Sequence, residues 1–243
     1  MEAIILAGGF GRRLQGVVSD VPKPMADING KPFLSYILAY LSCQGVEEII
    51  LSVGYRHEII KKYFGIKYNN MFIEYVTEVE PLGTGGAVRE ALRHVRGDDV
   101  IILNGDTLFT VDMRKMIDMH RSDKAAVTMA LKPLNNFDRY GVVVQKDGRV
   151  TAFEEKSFRE SGYINGGIYV MNKAVLKSLE HYERCFSFEK DFLQKKLDEV
   201  AVQAFIAGCY FIDIGVPEDY EKAKRDMPAI FPEGGECLPI SCS

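Results

Sequence analysis

The stretch Glu2-Ala3-Ile4-Ile5-Leu6-Ala7-Gly8-Gly9-Phe10-Gly11-Arg12-Arg13-Leu14 decides the fold. An apolar run too short for a helix breaks abruptly into glycine, which reads as a strand buried on both faces of a parallel sheet. Open sheets of this kind bind ligands just beyond the carboxyl ends of their strands. Glycines there let the backbone approach a ligand closely and aim N–H groups at anionic oxygens. A dinucleotide fingerprint would need Gly where Leu14 stands, and a Walker loop would need Gly-Lys-Ser/Thr; neither is present. The loop carries Arg13 instead, and Lys23 follows in Pro22-Lys23-Pro24-Met25. The prolines restrict the backbone on both sides of Lys23 and so limit where its ammonium can reach. Arg13 offers a forked donor set and Lys23 a point charge, both suited to phosphate. An ordinary turn beside a surface lysine is the plainer alternative. The combination of glycines, Arg13 and a proline-flanked Lys23 favours a phosphate site.

Working outward, strand-like and helical patterns alternate through the first half. Strands are predicted at 47–53, 72–77, 100–103 and 125–131, with helices at 33–43, 57–63, 85–95 and 113–121. This alternation predicts a doubly wound α/β sheet, largely parallel, with helices on both faces. The second half changes character. Residues 141–144 and 150–153 flank Asp147-Gly148 as an antiparallel hairpin. Further strands are expected at 163–170, 201–207 and 210–213, and helices at 174–179, 187–197 and 217–225. One domain over residues 1–226 is expected, with a front half at about 1–131, a back half at about 132–226, and a loosely packed tail at 227–243 rich in Pro and Gly.

Composition narrows the function. The chain has 243 residues, is 47% hydrophobic and carries a formal net charge of −4. A nucleic-acid binder would usually need a basic excess, whereas a few converging cations suffice for a small anionic substrate. No apolar run approaches the ~20 residues of a membrane helix, and nothing at the start reads as a signal peptide. A soluble cytoplasmic protein is expected. The odd, scattered cysteines (43, 185, 209, 237 and 242) fit reduced thiols.

The glycine loop and Pro22-Lys23-Pro24-Met25 resemble the signature of sugar-1-phosphate nucleotidyltransferases. The resemblance continues through Glu80-Pro81-Leu82-Gly83-Thr84-Gly85-Gly86, Asn104-Gly105-Asp106, Phe153-Glu154-Glu155-Lys156, Asn165-Gly166-Gly167-Ile168-Tyr169 and the block from Phe211 to Tyr220. These blocks stand in the family's order and spacing over almost the whole chain. Phe137-Asp138-Arg139-Tyr140-Gly141, Ile164-Asn165-Gly166-Gly167 and Phe186-Ser187-Phe188-Glu189 resemble the bacterial D-glycero-D-manno-heptose 1-phosphate guanylyltransferases in particular. Arg12 departs from the Thr usual in the family loop, and no Pro follows Leu14 as it does in the hexose enzymes.

The resemblance implies a Rossmann-like, GT-A-like fold with a mixed, mainly parallel sheet. It implies catalytic roles for Arg13, Lys23 and Asp106, and a Mg²⁺ site on Asp106 and Asp213. Mg²⁺ takes one or two carboxylates together with phosphate oxygens and water, so two Asp from distant segments suffice. Nucleotide contacts are implied for Leu6, Ala7, Gly8, Gly9, Gly11, Arg13, Lys23, Glu80, Gly83 and Thr84. Glu80 would read the adjacent N1–H and NH₂ donors of guanine, since a carboxylate only accepts. Sugar contacts are implied for Gly141, Glu155, Lys156 and Asn165. Neighbouring acids on a strand point to opposite faces, so only one of Glu154 and Glu155 can serve; Glu155, beside the lysine, is the expected one. The implied reaction joins GTP and a heptose 1-phosphate and releases pyrophosphate. Hexose or amino-sugar phosphates with UTP, dTTP or CTP remain open, as do a non-catalytic nucleotide- or sugar-binding subunit and a homo-oligomer.

Overall fold

The N-terminal apolar run is a strand, β1 (Glu2–Ala7), inside a ten-stranded sheet. The structure is a computed structural model that describes residues 1–9 and 21–232. A short antiparallel pair, β2 (Asp27–Ile28) and β3 (Lys31–Pro32), leads into α1 (Phe33–Cys43). Next come β4 (Glu48–Val53), α2 (His57–Phe64), β5 (Lys67–Tyr68), β6 (Met71–Thr77) and α3 (Gly83–Leu92). The front half closes with β7 (Asp99–Asn104), β8 (Thr107–Phe109), α4 (Met113–Ser122) and β9 (Val127–Phe137). The back half holds β10 (Val142–Lys146), β11 (Arg149–Glu154), β12 (Arg159–Asn172), α5 (Leu176–Leu179), β13 (Val202–Ile206), β14 (Phe211–Asp213) and α6 (Pro217–Ile230).

The strand order is β10-β11-β13-β9-β12-β7-β1-β4-β6-β5. The block β7-β1-β4-β6 is parallel throughout. β12 inserts antiparallel between β7 and β9, and β11 and β5 also run against the rest. The sheet is therefore mixed and mostly parallel, with helices on both faces, as expected. Its pleat explains the continuous apolar pattern of β1, because successive side chains point to opposite faces. Ala3, Ile5 and Ala7 pack with Tyr40, Phe64, Met116 and Met227 from α1, α2, α4 and α6. Ile4 joins Val88 and Leu92 of α3, together with Phe188 and Phe192, on the other face. Truncating a fully buried ring such as Phe188 to Ala should cost about 3–5 kcal/mol.

Several boundaries differ from the sequence expectation. β12 and β9 extend well past 163–170 and 125–131 as one long antiparallel ribbon, pairing Tyr163 with Pro133 and Arg159 with Phe137. Polar residues, Gly162 and Pro133 mask this extension in the sequence. The segment expected as a helix at 187–197 is a wide π turn over Phe188–Leu193 followed by a 3-10 turn over Gln194–Lys196. The hairpin turn is as expected, with Asp147 at φ 52° and Gly148 at φ 78°.

The last helix runs past its expected end at 225, because Met227 continues the buried stripe of Tyr220 and Ala223. Pro228 cannot donate to the Lys224 carbonyl one turn back. Asn29, in the turn between β2 and β3, donates to that carbonyl at 2.7 Å instead. Met227, Ile230 and Phe231 thus pack against the core at the start of the expected tail, and residues 233–243 lie outside the described residues. Cys43 and Cys209 are each disulfide-bonded, which corrects the expectation of reduced thiols; spacing alone carries no information on which sulfurs approach in space. Cys185 is free and exposed. Among the described residues, no helix is long and apolar enough to cross a membrane.

Candidate active site

Pro22 adopts φ −63° and ψ 148° and starts a tight 3-10 turn over Lys23–Met25. Pro24 and Met25 are buried by this turn, which aims Lys23 into a cleft beyond the carboxyl ends of the parallel strands. The Lys23 ammonium donates to Asp106 Oδ2 at 2.6 Å and to Asp213 Oδ1 at 3.2 Å. Asp106 follows Asn104 and Gly105 at the end of β7, where the Gly105 N–H donates to the Leu6 carbonyl at 2.9 Å. Asp213 comes from the other half of the chain. It reaches Asp106 because β14 pairs antiparallel with β8, setting Asp213 opposite Thr107, and because the Ile214 N–H donates to the Asp106 carbonyl at 3.1 Å.

The electrostatics of this triad are opposed. Burial disfavours the Lys23 charge, yet the two carboxylates outweigh it and hold the ammonium above the usual lysine range. Burial and then repulsion from Asp106 push the Asp213 carboxyl up, and Lys23 only partly offsets them. Two half-buried carboxylates thus share one cation, leaving an excess of negative charge at one point of the cleft. Among the described residues, no group of three or more His, Cys, Asp or Glu could hold a metal ion. The pair still fits a hard divalent ion whose remaining ligands are phosphate oxygens and water.

The cleft has a volume of about 620 Å³. Its walls bring together the expected residues Leu6, Ala7, Gly8, Gly9, Lys23, Gly83, Thr84, Asp106 and Asp213, and add Glu78 and Asn104. Gly11 and Arg13 lie outside the described residues. Glu80 does not line the cleft; its exposed carboxylate accepts from the Arg184 guanidinium at 2.8 Å. The glutamate in the cleft is Glu78, which accepts from Ser52 Oγ and from the Leu82 N–H, both at 3.1 Å. A Cβ on Gly8 would stand 2.2 Å from Glu78 Oε1, so the first loop glycine is what admits this side chain. Sequence reasoning missed Glu78 although the signal was present. It stands just past the end of a parallel strand, as Asp106 does after β7.

The expected sugar residues gather on the antiparallel side. Phe137, Val142 and Ile164 form a small cluster with Tyr140 and Phe211, which places Gly141, Asn165 and Asp213 on connected elements. Asn165 is held by the Gly167 N–H, which donates to its Oδ1 at 2.9 Å. Gly167 takes φ 71°, and a Cβ there would lie 2.7 Å from Asn104 Nδ2 in the cleft wall. Glu154 is engaged by Arg159, whereas Glu155 and Lys156 are exposed just past the end of β11. Neither lines the cleft as it stands.

Comparison with known proteins decides the family. The nucleotidyl transferase family model matches residues 2–229. The chain belongs to the nucleotidyl transferase family. One member, the D-glycero-alpha-D-manno-heptose 1-phosphate guanylyltransferase of Aneurinibacillus thermoaerophilus, is 53% identical over 227 residues, covering 93% of this chain and 98% of that relative. The Campylobacter jejuni protein of the same name is 48% identical over 221 residues, covering 90% and 97%. The crystal structure of HddC from Yersinia pseudotuberculosis superposes with a TM-score of 0.83 at 38% identity, covering 93% of this chain and 99% of that one. The same protein has also been solved in complex with GMP-PN.

Proposed function

We propose that this nucleotidyl transferase moves a guanylyl group from GTP to D-glycero-D-manno-heptose 1-phosphate, releasing pyrophosphate. The product, a GDP-heptose, would serve a bacterial surface polysaccharide. The observation that carries the reading is the Lys23 ammonium clamped between Asp106 and Asp213 at the floor of the strand-end cleft. The relatives' names support the sugar and the base, and so does the Glu78 carboxylate. Its two current partners leave acceptor capacity for the adjacent N1–H and NH₂ of guanine. We assign base reading to Glu78 rather than Glu80, with Gly83, Thr84 and the backbone of Leu6–Gly9 beside it.

The chemistry needs cations more than a base. A phosphomonoester has its second pKa near ~6, so the attacking sugar phosphate is already largely dianionic at neutral pH. An oxygen of that phosphate forms the new bond to the α-phosphorus while the bond to the pyrophosphate oxygen breaks, and no proton must be moved. The barrier lies in bringing two anions together and stabilising charge on the leaving group. Lys23 supplies fixed positive charge, Arg13 is assigned to the triphosphate and Lys156 to the sugar phosphate. Asp106 and Asp213 would hold Mg²⁺, which neutralises triphosphate charge when bound. Gly141, Glu155 and Asn165 are assigned to the sugar. The same proposal treats residues 1–226 as one catalytic unit with a nucleotide front and a sugar back. It works on small molecules, without nucleic acid or membrane.

The test is pyrophosphate release across a matrix of GTP, UTP, dTTP and CTP against heptose, mannose and glucose 1-phosphates. Release with GTP and heptose 1-phosphate far above every other pair is expected. Activity confined to a hexose with dTTP would overturn the base and sugar assignment.

A further inference from the structure

The block Phe186-Ser187-Phe188-Glu189 has no role in the scheme so far, yet Glu189 stands between the two halves of the site. Thr84, in the first turn of α3 and in the nucleotide wall, donates its hydroxyl to Glu189 Oε2 at 2.7 Å. Its orientation is fixed, because the Phe188 N–H donates to the same hydroxyl oxygen at 2.9 Å. Ser187 Oγ donates to Oε2 as well, at 3.2 Å. On the other carboxylate oxygen, the fully buried Tyr169 donates its phenol proton to Oε1 at 3.1 Å. That phenol oxygen in turn accepts from Asn165 Nδ2 at 2.6 Å. Since Asn165 Oδ1 is already engaged by Gly167, the amide has one settled orientation, with one N–H left to offer.

An unbroken chain of hydrogen bonds therefore runs from the nucleotide wall to the expected sugar wall, with Thr84 donating to Glu189 from one side and Asn165 donating to Tyr169, which donates to Glu189, from the other. Its central carboxylate sits on the π turn, a geometry frequent at functional sites. Only a carboxylate can accept on both sides at once, because an amide would present N–H₂ to a hydroxyl already pointing at it. We infer that Glu189 is a positioning residue that couples nucleotide binding at Thr84 to the setting of Asn165 for the sugar phosphate. This rests on the substrate reading above and adds to it a communication between the two subsites. Nucleotide contact that shifts the first turn of α3 is passed through Glu189 to the amide of Asn165.

The experiment measures the Kd of guanosine 5′-(α,β-methylene)triphosphate by titration calorimetry in Mg²⁺ buffer, with and without saturating heptose 1-phosphate. In the wild type the sugar phosphate should lower this Kd by at least about fivefold, the lower range of allosteric coupling. In Glu189→Gln the ratio of the two Kd values should fall to about one, whatever the nucleotide Kd without sugar phosphate becomes. Tyr169→Phe, which keeps the ring and deletes the relay, should give the same loss and decides the matter if Glu189→Gln does not fold. A wild-type ratio of one, or a ratio that survives in the variants, overturns the coupling. Turnover of GTP and heptose 1-phosphate by the same wild-type sample separates the two claims: turnover without coupling removes the relay alone, and no turnover removes the substrate reading on which it rests.

Discussion

The wall proposed for the nucleotide and the wall proposed for the sugar are built differently. The first is made of short connections leaving parallel strands, and its charged groups are already placed: the Lys23 side chain is only 12% exposed and bonded to both aspartates. The second hangs on an antiparallel ribbon and an edge hairpin, and its charged members Glu155 and Lys156 are exposed. Parallel strands converge their ends on one crevice, whereas the hairpin sits at the edge of the sheet, held by β11–β13 pairing, by Val143 and Val150 in the core, and by the small cluster around Phe137, Val142 and Ile164. On the proposed assignment, the contrast teaches that the groups meeting the triphosphate are already positioned by the fold, while sugar recognition would have to order long side chains when the substrate arrives.

The sharpest way to break this contrast is at the shared cation. Asp106→Ala and Asp213→Ala should each lower turnover by about a hundredfold or more, the scale of removing a group that stabilises transition-state charge, with circular dichroism unchanged. Near wild-type pyrophosphate release from both variants would remove the triad from the chemistry. A smaller effect is expected at the base. Glu78→Gln should lower kcat/KM for GTP by roughly tenfold to a hundredfold, as for a lost hydrogen bond to a charged group, and narrow the preference over ATP. Glu80→Gln should leave that preference unchanged, so equal effects at the two positions would contradict the placement of Glu78.

On the sugar side the loss should appear as affinity. Lys156→Ala should raise the KM for sugar phosphate by about tenfold and leave the KM for GTP nearly unchanged, as expected for an exposed charge recruited on binding. The smallest effect concerns stability. The Asp213 carboxyl is raised in the folded chain, so the folded state holds its proton more readily than the unfolded chain does. Its ionisation therefore costs stability as pH rises from the usual carboxylate range through the raised value, and the cost persists at neutral pH. Asp213→Asn should raise the Tm of the metal-free protein at pH 7, by roughly 2–4 °C for each kcal/mol relieved, and have less effect near pH 3. A Tm that falls at pH 7 would show that attraction to Lys23 outweighs repulsion from Asp106.

Much of this was legible in the chain itself. Apolar runs ending at Gly8 and Asn104, with the strand-like segment 72–77, marked the parallel block, and Pro22 and Pro24 marked a lysine whose direction is constrained. What escaped were features set by long-range pairing. The β8–β14 ladder, which joins Asp106 to Asp213, involves strands of three residues each, too short for periodicity. The choice between Glu78 and Glu80 depended on where the chain turns after β6, because both carboxylates sit beside the same Pro-Leu-Gly block. The insertion of β12 between β7 and β9 reorders the sheet without leaving any local pattern.

The most direct test of the central claim, that two aspartates from opposite halves of the chain hold one divalent ion, is to count bound Mn²⁺ by electron paramagnetic resonance in the presence of guanosine 5′-(α,β-methylene)triphosphate. One tightly bound ion per chain is predicted, with affinity falling sharply in both Asp106→Asn and Asp213→Asn. Unchanged Mn²⁺ affinity in either variant would contradict the account.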